Sequence, residues 1–120
     1  MMNQDEFKAR TKALGLEVIR LVDALPRSRA ADVIARQLLR SATSVGANYR
    51  AACRARSTAE MVAKLGIVLE EADETLYWLE MLRESGLVPE ARTTGLATEA
   101  DEIVAMTVAS IKTLRARSTR

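Results

Sequence analysis

The chain contains no histidine, and its single cysteine is Cys53. Without histidine, the commonest general base, the commonest metal ligand and the Ser-His and Cys-His nucleophile systems are all missing. A zinc site built on histidine and cysteine lacks its ligands too. Cys53 has no partner for an internal disulfide, and beside Ala52 it reads as a small packing residue. Prolines number two, glycines five, and aromatics make up 3% of the residues. A β-sheet draws on aromatic and β-branched residues, so this composition argues for an all-helical protein. No apolar run approaches the roughly 20 residues of a membrane span. No N-terminal apolar signal core is visible either, and a soluble, cytoplasmic protein is expected.

What is present is alanine, leucine, arginine, glutamate and valine, in 120 residues that suit one domain spanning 1–120. The formal charge of +2 conceals a division. Residues 27–56 hold seven arginines against Asp32, a net +6. Residues 57–85 hold seven carboxylates against Lys64 and Arg83, a net −5. The distribution carries the information that the total hides.

Four segments repeat apolar residues at helical spacing. The first, about 4–24, carries Phe7, Thr11, Leu14, Val18, Leu21 and Leu25 and is stopped by Pro26. The second, about 28–55, carries Ile34, Leu38, Ser41, Val45, Tyr49 and Ala52, with Ser28 as a candidate cap. Ser57 and Glu60 then form a capping-box signature that starts the third segment. That segment bears Met61, Leu65, Val68, Ala72, Leu76, Leu79 and Leu82, and ends near Ser85 before Gly86, a natural left-handed cap. The fourth, about 95–117, carries Ala100, Ile103, Thr107, Ile111 and Leu114. Amphipathic helices with short connections predict an antiparallel up-down four-helix bundle, dominated by a long central hairpin of the second and third helices.

The middle of the second helix is its weakest part by propensity, with Gly46 and Asn48 inside SATSVGANYRAAC. Folding the hairpin about Ser57 puts Gly46 level with Val68, Asn48 with Gly66, and Arg40 with Glu74, with Glu71 one turn away. Glycines on facing helices predict that the second and third helices approach closely there, because a mid-helix glycine otherwise costs about 1 kcal/mol. An Arg40–Glu74 pair predicts a fixed register between the two.

Arg36, Arg40, Arg50 and Arg54 fall within about 80° on a helical wheel. They read either as a phosphate-binding ridge or as a solvated face neutralised by the acidic helix beside it. Local pairing of Arg40 leaves Arg50, Arg54 and Arg56 as the cations free for phosphate. The cluster Glu70, Glu71, Asp73 and Glu74 lacks the Glu-x-x-His pairs of bundle metal sites, so no metal and no cofactor is expected. Tyr77 and Trp78 stand beside a core stripe already filled by Leu76 and Leu79. Trp78 is expected at the bundle edge or in a subunit interface, with a place in the core as the alternative.

The stretch from Arg40 to Val88 resembles the four-helix-bundle family found in intervening sequences of 23S ribosomal RNA genes. The elements that carry this are Ser44 to Asn48, the helix start at Ser57, Ile67 to Ala72, and Glu74 to Leu79. The resemblance implies a ring-shaped homopentamer. It extends to the accessory protein of diversity-generating retroelements, a basic pentamer that binds a reverse transcriptase and nucleic acid. Glu70 stands where the family pattern has lysine, and Ala51 where it has glutamate. Residues and resemblance together lead to the expectation of a non-enzymatic, homo-oligomeric adaptor for RNA, DNA or a nucleoprotein partner. A protein–protein scaffold without nucleic-acid binding is the alternative.

Overall fold

In a computed structural model describing residues 3–118, four helices run up and down: α1 (Gln4–Asp23), α2 (Arg29–Cys53), α3 (Thr58–Glu84) and α4 (Thr94–Ser118). A single 3₁₀ turn, Glu90–Arg92, precedes α4. The bundle measures 52 × 20 × 20 Å, the proportions of a rod two helices wide in each direction. Each helix packs mainly on its neighbours in sequence, and the α1–α4 seam is the thinnest.

Local chemistry sets the helix ends. Asn3, Ser28 and Ser57 are extended residues whose side chains accept the backbone N–H of Glu6, Ala31 and Glu60, at 2.9, 3.1 and 3.1 Å. The reciprocal half of the Ser57 box is displaced by one residue. The Glu60 carboxylate accepts from the N–H of Arg56 at 3.4 Å, one position earlier than the standard pattern. Helix α2 stops at Cys53, short of the expected 55, because the N–H groups of Arg54 and Ala55 turn back to Ala51 and Ala52, both at 3.1 Å. Gly86 closes α3 at φ +75°, where a side chain would be strained.

The buried stripes largely follow the sequence pattern, with Leu25, Met61, Leu76 and Leu114 half-buried rather than buried. On α3 the buried residue is Thr75, while Leu76 is half-buried. A hydroxyl can replace an apolar residue inside a helix when it bonds back to its own backbone. Thr11 and Thr107 do so to Phe7 and Ile103, at 3.0 and 2.7 Å. The Thr75 hydroxyl divides its hydrogen between the Glu71 carbonyl at 2.8 Å and Ser41 Oγ at 3.1 Å across the hairpin. Among the described residues no buried side-chain nitrogen or oxygen lacks a partner.

Gly46 corrects one expectation. A Cβ built there meets Thr11, with its carbonyl carbon and oxygen both at 3.3 Å, and the N of Lys12 at 3.4 Å. The close approach is between α1 and α2, not α2 and α3. Gly66 has nothing within 4 Å of its added Cβ, and the Asn48 amide stays on its own helix, donating to the Ser44 carbonyl at 2.9 Å. Equal height does not make two residues face each other. At 100° per residue Gly46 is turned from the Val45 core position toward α1, and Gly66 is turned away from α2. Phe7 of α1 stacks on Tyr49 of α2 nearby, ring centroids 4.0 Å apart.

The two glycines should therefore respond oppositely. Gly46→Leu forces α1 off α2 and is expected to cost about 1–3 kcal/mol in urea unfolding. Gly66→Ala adds helix propensity without a clash and is expected to gain up to about 1 kcal/mol. Equal losses at both positions would place the close approach on the wrong seam.

Candidate nucleic-acid interface

An up-down topology brings the start of α1, the end of α2, the start of α3 and the end of α4 to one end of the rod. Cutting each helix at its midpoint, that half holds ten cations and five anions, and the other described half holds seven cations and eleven anions. The bundle is polarised along its long axis, about +5 at one end and −4 at the other.

At the tip of the basic half stand Arg50 in the last turn of α2, Arg54 and Arg56 in the connection, and Lys64 in the second turn of α3. Lys112, Arg115 and Arg117 approach from the last turns of α4. All except the half-buried Lys64 are exposed, and none of these side chains takes part in an ion pair among the described residues. Part of this charge offsets the negative ends of the α2 and α4 dipoles. The remainder is a solvated cationic surface that phosphate can approach from outside. Fork-shaped guanidinium groups suit that task, since they offer paired donors to phosphate oxygens.

The structure separates the other candidates. Arg36 is exposed but lies fourteen residues from Arg50, about 20 Å along α2. It shares their helix face and not their location. Arg40 bonds to Glu71 at 2.9 Å and also to Glu74. The Trp78 indole N–H donates to the same Glu74 carboxylate at 3.1 Å. Trp78 is half-buried against the core edge, and the half-exposed Tyr77 meets it edge-on at 5.0 Å. Arg40 is thus engaged within the chain, tying α2 to α3. The α4 cations are absent from the sequence-based set, although the up-down topology implies their position.

Two further features bear on chemistry. Tyr49 is buried, and burial, followed by its hydrogen bond with Cys53, pushes its phenol far above the usual range. That keeps it neutral and structural. Between α1 and α2 an outer groove of about 550 Å³ runs from Lys8 and Arg50, past Lys12, Gly15 and Gly46, to Leu16 and Ile19. No group of three or more potential metal ligands occurs among the described residues, and no described helix is long and apolar enough to cross a membrane.

The geometry can be set beside known proteins. The family model described as 23S rRNA-intervening sequence protein matches residues 4–109. The chain is similar to the crystal structure of a protein with unknown function from the S23 ribosomal protein family of Bacteroides thetaiotaomicron. The two are 32% identical, with a TM-score of 0.85 over 92% of this chain and 99% of that one. No protein of curated function gives a significant match.

The Arg40 network predicts an acid-side effect. Glu74 is held below its ordinary pKa, first by the Trp78 N–H and then by Arg40. A depressed folded-state value means that its stabilisation is complete above about pH 5 and is lost as pH falls through the folded value. Trp78→Phe removes the indole donor and should raise the Glu74 pKa, read by NMR titration. Arg40→Gln should cost less than about 1 kcal/mol at neutral pH, since Arg40 is half exposed. An unchanged Glu74 titration in Trp78→Phe would show that the indole bond does not hold the carboxylate.

Proposed function

The chain belongs to the 23S rRNA-intervening sequence protein family, and from that premise we propose that it is a non-enzymatic, homo-oligomeric adaptor whose basic end binds nucleic acid or a nucleoprotein. The observation that carries the reading is the gathering of Arg50, Arg54, Arg56, Lys112, Arg115 and Arg117, from two helices and a connection, at one tip of a polarised rod.

Contacts of this kind are to phosphate and sugar. They give affinity through release of counterions and carry little sequence information. The tip presents no groove-filling helix, so recognition is by charge and shape, and the partner is RNA, DNA or a protein complex that displays either. A homo-oligomer, of which the pentamer is the form the resemblance suggests, repeats the tip in each protomer. Weak individual contacts then add through effective concentration.

The test is fluorescence anisotropy with a labelled RNA stem-loop and a DNA duplex, titrated from about 50 to about 200 mM salt. Wild type is expected to bind one or both with a steep salt dependence. Arg50, Arg54 and Arg56 changed together to glutamine should lower affinity about tenfold or more, and flatten the log–log salt slope by about three per protomer. Arg36→Gln, at a distance from the tip, should stay within about twofold of wild type. Absence of binding to either probe at about 50 mM salt, where phosphate contacts are strongest, leaves the scaffold without nucleic-acid binding.

A further inference from the structure

Six large apolar side chains are exposed among the described residues, and five of them fall on two faces. Leu16 (45%) and Ile19 (39%) stand on α1 beside its groove with α2. Ile67 (42%), Tyr77 (51%) and Met81 (39%) stand on α3, at positions that share one side of that helix. Glu70 and Glu74 lie in the same stripe, so the α3 face is apolar and acidic. The groove is the converse: a floor of Gly15, Gly46 and Ala47, apolar walls, and Lys12 on the rim. Isolated exposed apolar residues need no explanation, whereas two matched rows of opposite charge do.

We infer that a second copy of the chain lays its α3 face into the α1–α2 groove. The inference rests on the homo-oligomeric part of the proposed function and names its contact. α2 packs on both α1 and α3, while α1 and α3 occupy opposite corners of the bundle. The two faces of one protomer therefore cannot satisfy each other. A two-fold pair through α3 would set acid against acid. Contact between unlike surfaces joins opposite charges and repeats from head to tail, closing into a ring when the rotation permits.

Two registers inside the protomer set which residues meet. Thr11 against Gly46 aligns α1 with α2, and Arg40 with Glu74 and Ser41 with Thr75 align α2 with α3. Carried across the bundle, they put Lys12 level with Glu70, Leu16 with Glu74, and Ile19 with Tyr77. A rotation about an axis parallel to the rod preserves height, so it sets Lys12 of one copy level with Glu70 of the next without sliding. Ile19 comes level with Tyr77, an aromatic anchor whose ring is already braced edge-on by Trp78. The floor of small residues lets the α3 backbone come near, as a third helix does in an inter-helix groove.

Sedimentation velocity and light scattering on the full chain test this, with circular dichroism as the check on folding. Lys12→Glu and Glu70→Lys are each expected to weaken association about tenfold while leaving the protomer helical. Because each contact takes one residue from each copy, the double variant K12E/E70K should restore assembly to within about threefold of wild type. A monomeric wild type overturns this contact together with the homo-oligomeric reading. A wild type that assembles, with both single variants assembling equally well, overturns the contact alone. Two dissociated single variants that the double variant fails to rescue overturn the Lys12–Glu70 pairing. An acidic helix from another protein as the groove's occupant corresponds to the first of these outcomes.

Discussion

The molecule depends on one alignment, that of α2 against α3 at the middle of the hairpin. Ser41 and Thr75 meet there as buried hydroxyls, and Arg40 reaches Glu71 and Glu74 at the surface just outside them. The inner contact is the more exacting. Each hydroxyl also bonds back to its own helix, so the bond across the hairpin adds about 0.5–1.5 kcal/mol and fixes which residues meet. A slip of one helical turn would carry Thr75 and Ser41 past each other and leave each with only its bond to its own helix, at Glu71 and Leu38. The arginine fork adds direction more than energy, because an exposed ion pair is worth about 1 kcal/mol or less. Hydrophobic stripes alone permit sliding by a turn, since leucine against leucine is much the same at either register. The polar pair removes that freedom.

From this alignment follows the placement of every charge. Once α2 and α3 are fixed and the connections are short, the cations at the end of α2 share a tip with those of α4. The carboxylates in the second half of α3 share the opposite end with those at the start of α4. No single helix carries this polarity in full. The tip is held together against its own repulsion by the apolar core that lies one layer beneath it, with Phe7 stacked on Tyr49 and Ala52 buried beside them. The thin α1–α4 seam is secured separately. Arg10 bonds in a fork to Glu99, lies 3.6 Å from Glu102, and touches the sulfur of Met106. Those partners are ninety or so residues away in sequence, on a helix whose register against α1 nothing local determines.

That contrast explains what the sequence did and did not disclose. Helix number, the caps at Ser28 and Ser57, the stop at Gly86 and the Arg40 pairing were legible because each depends on neighbours in sequence or on one short turn. The arithmetic of the hairpin gives height well. It gives azimuth poorly, and the seam on which Gly46 acts is a matter of azimuth. Thr75 was passed over in favour of Leu76 because its polarity hides its suitability for the core; only the i−4 carbonyl beside it makes burial tolerable. Arg10 and Glu99 carry no pattern at all in the sequence. The basic tip was half visible, in Arg50, Arg54 and Arg56. Its other half, Lys112, Arg115 and Arg117, required folding the fourth helix back alongside the third.

Polarity along the rod also constrains how copies can combine. Rods with a charged axis prefer, on electrostatics alone, to lie antiparallel, basic half beside acidic half. An in-register ring opposes that preference, since it sets five net charges of one protomer beside five of the next. At the ionic strength of a cell, charges separated by more than about 8 Å are largely screened, so the long-range penalty is modest. Contacts at van der Waals range are screened far less, and there the groove and the α3 face pair lysine with glutamate and apolar with apolar. Short-range complementarity thus overrides long-range repulsion at physiological salt. The repulsion that remains is concentrated at the tips, and a polyanion bound across several tips would relieve it. In the proposed assembly, binding of nucleic acid and association of protomers therefore strengthen each other, with the axial charge of the bundle as the link between them.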